Sequence, residues 1–175
     1  HLREQEGFKI RLLLQVDTSA TGLKDDDPKL GQLLTQVEQN VKTVPGVQGA
    51  SFAFVTFNQG FWTSPAFTQE PGLAEGQSRT VRNNIVGHDF FSVMGLPLVL
   101  GRGFGPQDTD KSQRVTVISE SMVKRFFPNG SPLGKRFRLN NPNSPEEYEV
   151  VGVVKDAKYG SLQEQFRPMA FYPHT

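Results

Sequence analysis

Cysteine is absent from the 175 residues, which excludes thiol nucleophiles, disulfide frameworks and cysteine-built zinc sites. Histidine is almost as scarce: of the 3 in the chain, His1 and His174 lie at its ends and only His88 is internal. A serine triad or a two-histidine metal centre has almost nothing to draw on. An excess of one charge is missing too. With 19 Lys+Arg against 18 Asp+Glu the net charge is +1, too small to build the basic field of a nucleic-acid module. Long apolar runs are lacking: Leu12–Leu14, Leu96–Leu100 and Val150–Val154 have strand length, well short of the roughly 20 residues that cross a bilayer. The chain opens on His1 rather than Met and carries no signal-peptide pattern, so it is expected to be a soluble piece of something longer.

Aromatic residues are plentiful. Fourteen Phe, 3 Tyr and 1 Trp can anchor a real core, which argues against disorder. The 17 glycines and 12 prolines mean that the chain turns often, and its length fits one domain or two small lobes.

The pattern along the chain predicts an α+β fold. Phe8–Asp17 reads as a strand, with Ile10, Leu12, Leu14 and Val16 on one face. A helix follows from Pro28, with Asp27 as its N-cap and Asp25 and Asp26 favouring its positive end. Leu30, Leu33, Leu34, Val37, Val41 and Val44 form its apolar stripe, and Pro45-Gly46 stops it. Val47–Phe57 reads as a second strand, and Asn58–Ser78 as a long loop carrying Phe61, Trp62 and Phe67. Arg79–Val86 is a third strand; Asp89 then caps a short helix closed by Gly95, and Leu96–Leu100 is extended. Strand–helix–strand thus occurs twice. From residue 105 the texture becomes β-rich: strands at Val115–Ile118, Arg136–Leu139, Tyr148–Val154 and Met169–Tyr172, with one short helix capped by Ser119.

Motifs that could carry chemistry are weak. His88-Asp89 pairs an imidazole with a carboxylate, but Asp89 is better employed as a cap. The acidic groups Asp25–Asp27 and Asp108–Asp110 lack the alternation, glycine and closing glutamate of a calcium loop. Gly130 to Arg136 misses a phosphate loop in spacing and in the residue after Lys135, and Pro132 removes an N–H from the cradle. Gly101 to Gly105 precedes no long helix, so it is no dinucleotide fingerprint. Lys124, Arg125, Lys135, Arg136 and Arg138 read as a solvated face rather than a phosphate or lipid patch. Phe61, Trp62 and Phe67 are the candidate partner or membrane contact, with packing over the sheet as the competing reading. No catalytic, cofactor or metal site is expected.

Three ordered blocks bear a family resemblance. Val86-Gly87-His88-Asp89-Phe90-Phe91-Ser92-Val93-Met94-Gly95-Leu96-Pro97-Leu98 leads into Gly101-Arg102-Gly103-Phe104 and Asp108. Val115–Glu120 runs through Phe127-Pro128 to Pro132-Leu133-Gly134-Lys135, and Tyr148–Asp156 is followed by Phe171-Tyr172-Pro173. Together with Val44-Pro45-Gly46-Val47, these resemble the periplasmic core domain of MacB-like (MacB/FtsX-type) ABC transporter permeases. The resemblance implies a two-lobed domain: a Porter-like lobe of two strand–helix–strand units at 1–104, with 166–175 returning to it, and a Sabre-like lobe at 105–165. It implies a location outside the cytoplasmic membrane, between transmembrane helices missing from this chain. Through those helices the domain is expected to couple to a cytoplasmic ATPase, in a dimer of permease subunits, with a periplasmic protein as further partner. The implied role is non-catalytic mechanotransmission, serving efflux or lipoprotein and cell-envelope functions. Gly101 and Gly134 are expected as backbone turns and Phe90, Phe91, Phe126 and Phe127 as core. A free-standing extracytoplasmic ligand-binding or sensor domain is the alternative, and a hydrolase the least supported class.

Overall fold

The structure, a computed structural model, describes residues 18–24, 27–54, 62–69, 73, 78–157 and 165–175. The strand expected at Phe8–Asp17, the acidic residues Asp25 and Asp26, and Phe61 lie outside the described residues. After a single 3-10 turn at Ser19–Thr21 comes helix α1, Pro28–Lys42. The Lys29 N–H donates to Asp27 Oδ1 at 2.9 Å, so the predicted cap and the first-turn proline are both in place.

Among the described residues seven strands follow: β1 (Trp62–Thr68), β2 (Thr80–Val86), β3 (Leu98–Gly101), β4 (Val115–Ser119), β5 (Arg136–Leu139), β6 (Tyr148–Val154) and β7 (Met169–Pro173). Helix α2 (Phe90–Met94) sits between β2 and β3, and α3 (Glu120–Phe126) follows β4 directly. Gly95 closes α2 at φ 67°, as expected. Ser119 serves two elements: its hydroxyl accepts from the Met122 N–H at 3.3 Å, starting α3, and from the Met169 N–H at 3.0 Å, pinning β7.

All seven strands form one sheet in the order β3-β6-β4-β7-β2-β1-β5, and β5 pairs back onto β6. Six strands, β6-β4-β7-β2-β1-β5, therefore close on themselves, leaving β3 as a flap beside them. A bulge makes this possible. The β4–β6 register slips between Thr116 and Val117, so that Val151 is unmatched. Before the bulge, Arg136 and Phe137 of β5 pair with Glu149 and Tyr148; after it, β3 pairs with Gly152, Val153 and Val154. Strands β4, β5 and β6 from 105–165 are thus interleaved with strands from the flanking segments.

Alternation along the strands sorts the core into two clusters. One holds Ala66, Val81, Ile118, Phe137, Leu139, Val150, Val153, Ala170 and Tyr172, with Met122, Phe126 and Phe127 from α3 and its C-terminal edge. The other holds Val86, Val115, Val117, Val154, Met169 and Phe171, covered by Phe90 and Phe91 of α2 and by Phe104. The four phenylalanines expected as core are all buried, each worth on the order of 2–3 kcal/mol of transfer free energy.

Four expectations need correction. Trp62–Thr68 is a strand, not part of a loop. Its inward positions Ser64 and Ala66 are small and Pro65 interrupts it, so no apolar alternation announces it. Conversely, the described part of Val47–Phe57 is no strand. It touches β2 through one bridge, Ala53 to Val86, flanked by Phe54 N–H to Ile85 O and Gly87 N–H to Phe52 O, both 2.9 Å. Asp89 stands at the N-cap of α2 but makes no side-chain cap bond, because its carboxylate accepts from Lys42 Nζ at 2.7 Å. Finally, the α1 stripe is only partly covered: Leu30 is buried, whereas Leu33 is exposed, as is Val44 just beyond the helix.

Candidate functional site

Of the residues expected to form one contact surface, the two that are described, Trp62 and Phe67, are not brought together. Trp62 begins β1 on the same side as Ser64 and Ala66, at the rim of the closed ring of strands, and is 42% exposed. Its ring centroid lies 6.1 Å from that of Tyr172. Phe67 lies five residues on, hence on the opposite face and about 16 Å along the strand; it is half-buried beneath Arg79, whose guanidinium carbon is 5.2 Å from the ring centroid. Of the two described candidates, Trp62 is the one that combines an exposed aromatic surface with a rigid mounting.

That mounting is a chain of rings. Tyr172 packs against Tyr148 at 4.7 Å between centroids, and Tyr148 stacks on Phe137 at 6.0 Å. The Tyr172 hydroxyl donates to Asn83 Oδ1 at 2.8 Å. Burial removes water from this hydroxyl and pushes its pKa well above the usual phenol value, so it stays a donor.

A second constellation fixes β3. The Arg102 guanidinium donates through both terminal nitrogens to the Asp108 carboxylate, each at 2.8 Å, and the Gly105 N–H donates to Asp108 Oδ2 at 2.9 Å. Asp108 is buried, and hydrogen bonding from Arg102 holds its carboxyl below the ordinary range against the opposing effect of burial. Asp108 is thus a latch for the β3 turn rather than a calcium ligand. The signal for it in the sequence is the order Gly-Arg-Gly-Phe followed four residues later by Asp108.

The basic residues behave as a solvated face. Arg136 pairs with Glu149 at 2.9 Å and Glu147 at 3.6 Å, Arg138 pairs with Glu147, and Lys135 Nζ donates to the Asn129 carbonyl at 2.7 Å. Two pockets border this region. One of about 230 Å³ is lined by Thr68, Gln69, Phe127, Gly134, Lys135 and Arg136, and one of about 340 Å³ by Ser112, Gln113, Arg114, Pro145, Glu146 and Glu147. Both are open, polar surface depressions, unlike the mostly apolar enclosures that hold small molecules. No group of three or more potential metal-ligating side chains occurs among the described residues, and none of their helices is long and apolar enough to cross a membrane.

A feature missed in the sequence is the seat of α1. Gly31 packs directly on the ring of His174, and Lys42 joins Glu38 to Asp89. The available signal was Gly31 itself, since glycine inside a helix costs about 1 kcal/mol relative to alanine and calls for a packing reason.

Residues 11–175 match the MacB-like periplasmic core domain family. The macrolide export ATP-binding/permease protein MacB of Aggregatibacter actinomycetemcomitans is 39% identical over 77 residues, covering 44% of this chain and 11% of that protein. The protein of the same name from Mannheimia succiniciproducens is 28% identical over 87 residues, 50% of this chain and 13% of the relative. Among solved structures, the periplasmic region of MacB from Actinobacillus actinomycetemcomitans is similar with a TM-score of 0.54 at 22% identity, over 79% of this chain and 54% of that one. The extracellular domain of the noncanonic ABC-type transporter YknZ from Gram-positive bacteria gives 0.52 at 20%, over 79% and 60%. At such identities the structural likeness speaks for the fold, and the chain spans only a small fraction of the curated relatives it matches.

Proposed function

The chain belongs to the family of MacB-like periplasmic core domains, and on that premise we propose that it is a non-catalytic extracytoplasmic part of an ABC transporter permease. In this reading it passes ATP-driven movement of membrane helices to a periplasmic protein partner. The ATPase acts from the cytoplasmic side, the permease works as a dimer, and the process served is efflux or handling of lipoproteins and the cell envelope. The observation that supports it most is the closed ring of strands. Segments 1–104 and 166–175, read as Porter-like, and 105–165, read as Sabre-like, exchange main-chain hydrogen bonds at β3–β6, β4–β7 and β1–β5. A displacement applied to one segment is then carried into the other by the backbone rather than absorbed between them.

Trp62 is the contact we assign to the partner, because it is the exposed end of a ring stack that includes the buried Tyr172 and Phe137. In the full-length transporter, Trp62→Ser should leave ATP hydrolysis and the thermal unfolding of the domain nearly unchanged while reducing transport and partner binding. Full transport by that variant refutes the contact; a large loss of stability makes Trp62 core. The permease reading itself is tested in the encoding gene. Apolar stretches of about 20 residues should flank this segment, and their absence on both sides would sink it.

A further inference from the structure

The attachment of α1 to the sheet centres on one imidazole. Helix α1 has glycine at position 31, and a Cβ there would lie 1.9 Å from Cε1 of His174, 2.7 Å from Nδ1 and 2.9 Å from Nε2. The ring thus occupies the notch that the missing side chain leaves in the helix. Two phenylalanines flank it: Phe52 edge-on, with centroids 5.6 Å apart, and Phe54 at 5.4 Å. The main chain beneath is fixed, because the His174 N–H donates to Val86 O at 3.1 Å and extends the parallel β2–β7 pairing. His174 is half-buried, and a seat made of two apolar rings and a helix backbone suits a neutral imidazole better than an imidazolium.

Among the described residues, the ionisable groups around this seat are few. Residues 47–54, which supply both phenylalanines, carry none, and β7 carries only Tyr172, whose hydroxyl is engaged by Asn83 and kept protonated by burial. On β2, Arg82 lies on the opposite face by alternation. On α1, Glu38 and Lys42 share the face of Gly31, but they are joined to each other at 2.7 Å, and Lys42 also holds Asp89 at 2.7 Å. His88, after β2, is the group whose charge reaches His174, and it opposes a second positive charge there. Among the described residues, the carboxylates on and beside α1 are already engaged: Asp27 accepts from the Lys29 N–H, and Glu38 and Asp89 accept from Lys42.

From this geometry we propose that His174 is a pH-sensitive latch: the neutral ring seats α1 on the sheet, and its protonation releases the helix while the closed ring of strands stays folded. Burial, and secondarily His88, lower the pKa of His174 from its ordinary value. The sign follows from that. A released His174 takes up its proton at about pH 6.5 and the seated one only at lower pH, so the seat is intact above about 6.5 and weakens as pH falls below it. One proton governs the step, so protection of α1 can fall by at most about tenfold per pH unit. The latch stands on the domain alone and does not depend on the transport reading.

The test is hydrogen exchange followed by NMR on the 175-residue chain between about pH 8 and about pH 5, corrected for the intrinsic pH dependence of exchange. Protection of the α1 amides should fall as the His174 ring resonances titrate, while amides of β4 and β6 keep theirs. In His174→Gln, α1 protection should be constant across the range, whether high or low, whereas His88→Gln should keep the transition. The proposal is overturned if α1 protection does not begin to fall below about pH 6.5, or goes on falling once the His174 ring is fully titrated. It also fails if His174→Gln retains the transition, or if β4 and β6 lose protection together with α1.

Discussion

Alanine substitutions at Gly152, Gly101 and Gly134 would separate two kinds of constraint at the place where β3 crosses β6. Gly152 has an ordinary φ, but a Cβ there would stand 2.1 Å from the carbonyl oxygen of Arg102. Gly101 combines φ +69° with a Cβ position 2.2 Å from Val151 O and 2.8 Å from Leu133 Cδ2. Gly134 has φ +80° and nothing within 4 Å. At Gly134 the left-handed strain of about 1–2 kcal/mol is partly offset by about 0.4–1 kcal/mol from a stiffer unfolded chain, leaving a loss of about 1 kcal/mol or less. At Gly152 the obstacle is backbone, which cannot rotate aside without parting the Gly101–Gly152 pairing and the 2.9 Å bond from Arg102 N–H to Val151 O. Overpacking of about 1–3 kcal/mol plus a lost bond of about 1 kcal/mol gives a loss of about 2–4 kcal/mol. Gly101→Ala carries both burdens and should be the worst, at about 3–4 kcal/mol. For a chain of this size each kcal/mol lowers Tm by about 2–4 °C. Thermal unfolding by circular dichroism should therefore rank the variants Gly134, Gly152, Gly101 in order of increasing loss, with urea midpoints agreeing at constant m. Gly152→Ala melting with the parent protein would refute the close approach of β3 and β6. Gly134→Ala as the worst of the three would refute the whole partition.

Asp108→Asn should lower stability by about 1 kcal/mol at neutral pH, a modest figure because Arg102 is 42% exposed and screened by water. Its second signature is in acid: the parent protein loses the contribution of Asp108 as pH falls below about 4, and the variant's acid limb should be flatter there. Tyr172→Phe leaves the buried Asn83 carbonyl without its donor and should cost about 1–3 kcal/mol in urea unfolding, with the ring stack retained. Lys42→Met removes the tie between α1 and Asp89; it should cost about 0.2–1 kcal/mol and speed exchange in α1 more than in the sheet.

Much of the fold could be read from the sequence because several signals agreed at each element. In α1 the aspartate cap, the first-turn proline and the 3–4 spacing all point to one helix. β4 and β6 are near-continuous apolar runs, and both pair on two sides within the sheet. β1 escaped because strand patterns are recognised by large apolar residues, and its buried positions are Ser64 and Ala66. A loop assignment then made Trp62 and Phe67 look like neighbours on one mobile surface, whereas the pleat sends them to opposite faces. The segment 47–54 erred the other way: Phe52 and Phe54 look like strand residues, yet they flank the ring of His174. Nothing local in the sequence ties Gly31 to residue 174, since that contact spans most of the chain. The Arg102–Asp108 pair was visible as residues, but its geometry depends on a turn that the sequence leaves open.

The place of β7 has a consequence for how this domain is made. It is the last strand along the chain, yet it lies between β4 and β2, hydrogen-bonded to both. Until it has been synthesised, β2 and β4 each present an open edge, and Val115–Ser119, buried at every position in the finished fold, has lost its neighbour on one side. Sequential growth from the N-terminus therefore cannot complete the sheet strand by strand. The halves must wait for the closing strand, which makes folding a late and concerted event with high contact order. A chain halted before Met169 should be the species that chaperones hold and proteases find.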